Sequence, residues 1–128
     1  MMFGAGTRSV RIFVHRVPCD MRKQYDGLAA IVARELGGDV TSGDVYVFVG
    51  KTRKRAKALV WDGTGLCLYS KKLVQGHFAA PWTCASPAGA LTLTASELAL
   101  FFEGSSLVLS RPLSPPPYDR TRDALVFA

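Results

Sequence analysis

A chain of 128 residues, 48% of them hydrophobic, is long enough for one domain with a sizeable buried core. No apolar run approaches the length that crosses a bilayer and the N-terminus has no apolar signal core, so a cytoplasmic protein with no membrane partner is expected. Sixteen Lys and Arg against ten Asp and Glu leave a net charge of +6, which favours an anionic partner, nucleic acid above all.

The first strand is read at Val10-Arg11-Ile12-Phe13-Val14, with Val10, Ile12 and Val14 on one face. Pro18 ends the connection and Asp20 stands where a helix N-cap belongs. Met21, Tyr25, Leu28, Val32 and Leu36 follow at helical spacing, which predicts an amphipathic helix from Met21 to Leu36 that stops at Gly37-Gly38. Gly27 weakens its middle by about 1 kcal/mol relative to alanine. Arg22 and Lys23 fall in the first turn, where the helix dipole disfavours cations. Either Arg22 pairs with Asp26 four residues on, or the two cations and nearby N–H groups hold an anion such as a phosphate.

Val45 to Val49 is an apolar run rich in β-branched and aromatic residues. A basic tract follows, Lys51-Thr52-Arg53-Lys54-Arg55 with Lys57 just beyond. The chain then turns apolar through Ala58-Leu59-Val60-Trp61, passes Asp62-Gly63-Thr64-Gly65, and resumes at Leu66-Cys67-Leu68-Tyr69. This predicts a three-stranded antiparallel meander over 45–72, with the strand holding Leu59 and Trp61 nearest the sheet centre. Between Asp44 and Glu97 the only acid is Asp62, whereas Lys51, Arg53, Lys54, Arg55, Lys57, Lys71 and Lys72 are basic. Alternation along a twisted ribbon would put Lys51, Arg53, Arg55 and Lys57 on one side, a row suited to following a phosphodiester backbone. The competing reading is a solvated loop tip. Gly50-Lys51-Thr52 is no phosphate loop: Val45 stands where the earlier glycine is required, and a strand follows instead of a helix.

Gln75 to Trp82 reads as a turn-rich connection in which Phe78 and Trp82 act as lids over the core more than as platforms for nucleobases. Thr94 and Glu97 form a capping box, with Leu93 and Leu98 as its hydrophobic staple, and open a helix through Phe102 that stops at Gly104. Leu107-Val108-Leu109 is read as a short edge strand. From Arg111 to Ala128 the prolines Pro112, Pro115, Pro116 and Pro117 mark an extended tail that adds little to domain stability. The organisation is thus one α+β domain over 1–110, an antiparallel sheet with two helices packed on it, and a Pro-rich tail over 111–128.

His15 and His77 are too far apart for a metal or relay motif, and Cys19, Cys67 and Cys84 lack ligand spacing and fit a reducing compartment as free thiols. A two-metal nuclease could be assembled on paper from Asp20, Asp26, Asp44, Asp62, Glu97 and Glu103. Most of these already have a structural role as cap, helix pair, turn or capping box. The chain is therefore read as non-enzymatic, without cofactor or metal.

In order along the chain stand Arg11-Ile12-Phe13-Val14, Pro18-Cys19-Asp20-Met21-Arg22-Lys23-Gln24-Tyr25-Asp26-Gly27-Leu28-Ala29, Ser42-Gly43 with Val45-Tyr46-Val47-Phe48, Lys57-Ala58-Leu59-Val60-Trp61-Asp62-Gly63-Thr64-Gly65, Leu68 to Leu73, and Leu91 to Gly104. Together these segments, roughly residues 9 to 108, resemble the small accessory protein encoded by the second open reading frame of insertion sequence 66 family transposons. The resemblance implies a role in transposition beside a larger transposase that carries the catalytic acids, and brings no catalytic residues with it. The residues themselves add the candidate role: DNA binding by Lys51, Arg53, Lys54, Arg55, Lys57, Lys71 and Lys72, flanked by Arg22 and Lys23. The alternative is an adapter whose positive face binds the transposase without touching DNA. Self-association into a homo-oligomer is left open.

Overall fold

The computed structural model describes residues 9–84, 91–105 and 108–109. Its elements in chain order are β1 (Ile12–Val14), α1 (Tyr25–Arg34), β2 (Val45–Val49), β3 (Arg55–Trp61), β4 (Leu66–Lys72), β5 (Leu91–Leu93) and α2 (Ala95–Phe102), with 3-10 turns at Val40–Ser42 and Pro81–Thr83. The strands form one five-stranded sheet in the order β4-β3-β2-β1-β5. All neighbours are antiparallel except β1 and β2, which run parallel because α1 carries the chain back across the sheet. The α+β class, the 45–72 meander and the N-terminal strand are as the sequence predicts.

The sheet is covered on both faces, and alternation along each strand sorts the side chains between them. Tyr46, Phe48 and Leu59 meet Leu28, Ile31 and Val32 of α1 on one face. Val45, Val47, Val49, Ala56, Ala58 and Val60 meet Phe78, Phe101, Phe102, Val108 and Leu109 on the other. Every residue of β2 is therefore buried, which is why it reads as an unbroken apolar run. That strand, rather than β3, is the middle of the sheet. Strands β1 and β5 both add to its far side and move Leu59 and Trp61 one position off centre.

The capping box forms as expected. Thr94 Oγ1 accepts from the Glu97 N–H at 3.1 Å, and Glu97 Oε1 accepts from the Thr94 N–H at 2.8 Å. Leu93 and Leu98 join one apolar cluster, and Gly104 takes a φ of 87° past the helix end. Asp62 closes the second hairpin by accepting from the N–H groups of Thr64 (2.9 Å) and Gly65 (3.0 Å), with Gly63 at φ 108°.

Three further expectations need correction. The first helix begins at Tyr25 and not at Met21. Asp20 instead caps a tight turn, accepting from the Arg22 N–H at 2.9 Å, and the Lys23 carbonyl is taken by the Lys57 ammonium at 2.8 Å. Arg22 does not reach Asp26, because its guanidinium is held by both oxygens of Asp20. The outer strand next to β1 is Leu91–Leu93, while Val108 and Leu109 lie in a turn in which Leu109 has φ 71°; Leu107 lies outside the described residues. The 111–128 tail also lies outside them.

Candidate nucleic-acid interface

The β2–β3 turn is a tight, braced structure. The Gly50 N–H donates to the Arg55 carbonyl at 3.0 Å and the Arg53 N–H to the Gly50 carbonyl at 2.9 Å. Closing the turn this way puts Arg53 at φ 61°, a left-handed conformation that β-carbon-bearing residues seldom adopt. The strained position is held from outside. The Phe78 N–H donates to the Arg53 carbonyl at 2.8 Å, and the Arg53 guanidinium donates back to the Phe78 carbonyl at 3.3 Å. One residue on, Leu73 N–H donates to the Lys54 carbonyl (2.8 Å) and the Lys54 ammonium to the Gly76 carbonyl (2.8 Å). The segment from Leu73 to Phe78 is thus a strap over the turn, anchored in the core by the fully buried Phe78. Sequence reading misses this strap. Its signal is Gly76, at φ 79°, two residues before a lone aromatic.

The basic side chains divide into those that face solvent and those that serve the fold. Lys51, Arg55 and Lys72 are exposed. Arg55 and Lys72 are direct cross-strand partners. Among the described residues no carboxylate pairs with either of them or with Lys51. Like charges placed opposite one another across a ladder destabilise it, so this pair is a local concentration of positive charge that no described carboxylate compensates. Alternation from Leu59 and Leu68, which pack with α1, puts Arg55 and Lys72 on the α1 face. Arg22 and Lys23 are exposed on the connection leading into α1. The guanidinium of Arg22 holds the Asp20 carboxyl well below the usual carboxylate range and is itself raised, so Arg22 adds little net charge.

Arg53, Lys54 and Lys71 are half-buried, and each donates to a main-chain carbonyl, Lys71 to that of Phe102 at 2.8 Å. Lys57 departs furthest from expectation. It does not continue an exposed row with Lys51, Arg53 and Arg55: it is only 5% exposed, on the α1 face, with its ammonium turned inward to the Lys23 carbonyl. The sheet pairing also dictates that Gly50 pack tightly, since a β-carbon there would lie 2.6 Å from Met21 Cγ.

Elsewhere, a cleft of about 720 Å³ beside β1 is lined by Arg11, Phe13, His15, Glu35 and Tyr46, with His15 Nε2 2.9 Å from Glu35 Oε1. Among the described residues no group of three or more His, Cys, Asp or Glu is placed to hold a metal ion. No described helix is long and apolar enough to cross a membrane. The three cysteines are free; burial pushes the Cys19 thiol up from its ordinary value.

Comparison with known proteins gives this arrangement a family. A family model described as IS66 Orf2-like protein matches residues 10–111. The uncharacterized protein y4jC of Sinorhizobium fredii is 36% identical over 98 residues, covering 77% of this chain and 81% of the relative. A second uncharacterized protein of that organism, y4hO, is 29% identical over 97 residues, covering 76% and 82%. No solved structure matches the chain. The family match spans every described strand and both helices, so the chain belongs to the IS66 Orf2-like family, the transposition-associated accessory proteins of these insertion sequences.

Proposed function

We propose that the protein assists transposition by binding duplex DNA through the braced β2–β3 turn and the adjoining end of β4, beside a separate transposase that performs the chemistry. The observation that carries this reading is the Arg55–Lys72 pair with Lys51, exposed cations gathered at one end of the sheet with no acid among the described residues to neutralise them. A phosphate backbone supplies the missing charge. Lys23 extends the same basic surface, and Arg53, Lys54 and Lys71 contribute to its field while anchoring the turn. Bracing by the 73–78 strap holds the cations in place before binding, which lowers the ordering cost on association. In this reading the protein is not an enzyme and takes no cofactor.

The test is a titration of the purified protein against a terminal-repeat duplex and a scrambled one at two salt concentrations. Affinity for both duplexes that falls steeply with salt is the expected result. Absence of binding to either duplex at low salt would move the adapter reading, a positive face docked on an acidic patch of the transposase, into first place.

A further inference from the structure

The two edges of the sheet are built very differently. At one side β5 is three residues long, too short to template a neighbour. At the other, β4 runs seven residues in unbroken register with β3, from Leu66 opposite Trp61 to Lys72 opposite Arg55. It has no proline and no bulge. The hydrogen-bonding phase is fixed at both ends: the Leu73 N–H donates to the Lys54 carbonyl, and the Asp62 N–H to the Gly65 carbonyl. Alternation between these points turns the main-chain groups of Cys67, Tyr69 and Lys71 inward to β3, and those of Leu66, Leu68, Ser70 and Lys72 outward. Among the described residues nothing pairs with that outer row.

Next to this edge lie apolar side chains that the core does not use. Tyr69 is 52% exposed although its ring meets Phe102 edge-on at 5.1 Å, and Val74, just past β4, is 92% exposed. Lys71, which could guard the edge, is drawn back over the α2 side by its bond to the Phe102 carbonyl.

We infer that the β4 edge is a dimerisation surface on which a second copy of this chain pairs its own β4 antiparallel, about a two-fold axis at Tyr69. The strand is self-complementary in this register. Leu68 faces Ser70 of the second copy and Leu66 faces Lys72, each pair exchanging two main-chain hydrogen bonds. Cys67 faces Lys71, so every lysine stands opposite a neutral residue. Tyr69 faces its own copy at a non-hydrogen-bonded site, where β-carbons approach to about 4.5–5.5 Å and two aromatic rings can pack. A shift that centres the axis on Lys71 would oppose like charges, and shifts to Leu68 or Ser70 would leave one end of the strand unpaired. The basic turns fall at opposite ends of the joined sheet, beyond the range of strong mutual repulsion at physiological salt. The inference is independent of DNA binding and stands or falls on the free protein.

Sedimentation of the full chain from about 1 to about 200 µM, a range in which an interface of the smaller size class dissociates, should show a monomer–dimer equilibrium. Ser70→Pro removes only an outward N–H and leaves the β3–β4 ladder intact, so it should yield a folded monomer. Tyr69→Cys, made in a Cys67→Ser, Cys84→Ser chain and oxidised with diamide, should cross-link two copies, whereas Thr92→Cys on the exposed face of β5 should not. A wild-type chain that stays monomeric throughout overturns the inference. So does a dimer that persists in folded Ser70→Pro, including one that disappears only when residues 111–128 are removed. Should Ser70→Pro fail to fold, the cross-link decides: no disulfide dimer from Tyr69→Cys rejects the β4 pairing.

Discussion

Replacing Lys51, Arg55 and Lys72 together by glutamine removes three exposed cations that no described acid pairs with and leaves every hydrogen bond of the braced turn in place. If each neutralises one phosphate, the slope of log affinity against log salt should flatten by about 0.9 for each, or about 2.7 in all. Between 50 and 200 mM salt that difference is worth roughly 40-fold: wild-type affinity should fall about 40 times further than that of the variant. The fold should survive, and relieving the Arg55–Lys72 opposition should leave the unfolding midpoint unchanged or slightly raised. Fluorescence anisotropy of a labelled duplex across a salt series measures the slope, and far-UV circular dichroism confirms the fold. The comparison variant is Arg53→Gln with Lys54→Gln, which breaks the contacts to the Phe78 and Gly76 carbonyls and should lower stability as well as affinity. A folded triple variant with wild-type slope would refute the assignment of phosphate contacts to these residues.

Thr94→Ala should cost about 0.5–2 kcal/mol through loss of the capping box, read as a lower urea midpoint, and Glu97→Ala should follow it in direction. Gly50→Ala should destabilise by about 1–3 kcal/mol, because its methyl meets Met21 Cγ at 2.6 Å, and Met21→Ala in the same chain should recover part of the loss. The Asp62 carboxyl is lowered from its ordinary value, chiefly by the Thr64 and Gly65 N–H groups. Its contribution is therefore present above the usual carboxylate pKa of about 3.9 and lost as pH falls through the lower folded value, which the Gly65 amide shift should track. Deleting residues 111–128 should leave the unfolding midpoint nearly unchanged; a large drop would mean that Leu125, Val126 and Phe127 dock on the core.

Local chemistry was legible wherever a few adjacent residues decide the outcome. Val45 to Val49 is a strand because β-branched and aromatic residues suit a strand buried on both faces. Thr94 with Glu97 and Asp62 with Gly63 specify their cap and turn without help from elsewhere. What escaped depends on partners distant in sequence. Leu91-Thr92-Leu93 is too short to announce a strand and becomes one only because β1 offers a free edge. Asp20 is a good N-cap by type, yet it closes a separate turn, and the helix starts only at Tyr25, with the Lys57 ammonium, 34 positions away, bound to the carbonyl of Lys23.

The basic tract, the proposed DNA contact, shows the same limit. Composition counts cations and alternation assigns them to sides, but neither tells which ammonium or guanidinium groups a main-chain carbonyl will claim. Arg53, Lys54, Lys57 and Lys71 are each claimed in this way, by carbonyls of Phe78, Gly76, Lys23 and Phe102. These bonds give the claimed cations a second job, fixing the turn, strap and helix connection against one another. On the proposed DNA-binding reading, the exposed cations then sit on a surface that does not have to be ordered on association. A solvated loop tip would have no use for such bracing. The expenditure of Arg and Lys on structure around Lys51, Arg55 and Lys72 is thus itself an argument that the position of those charges matters, beyond their number.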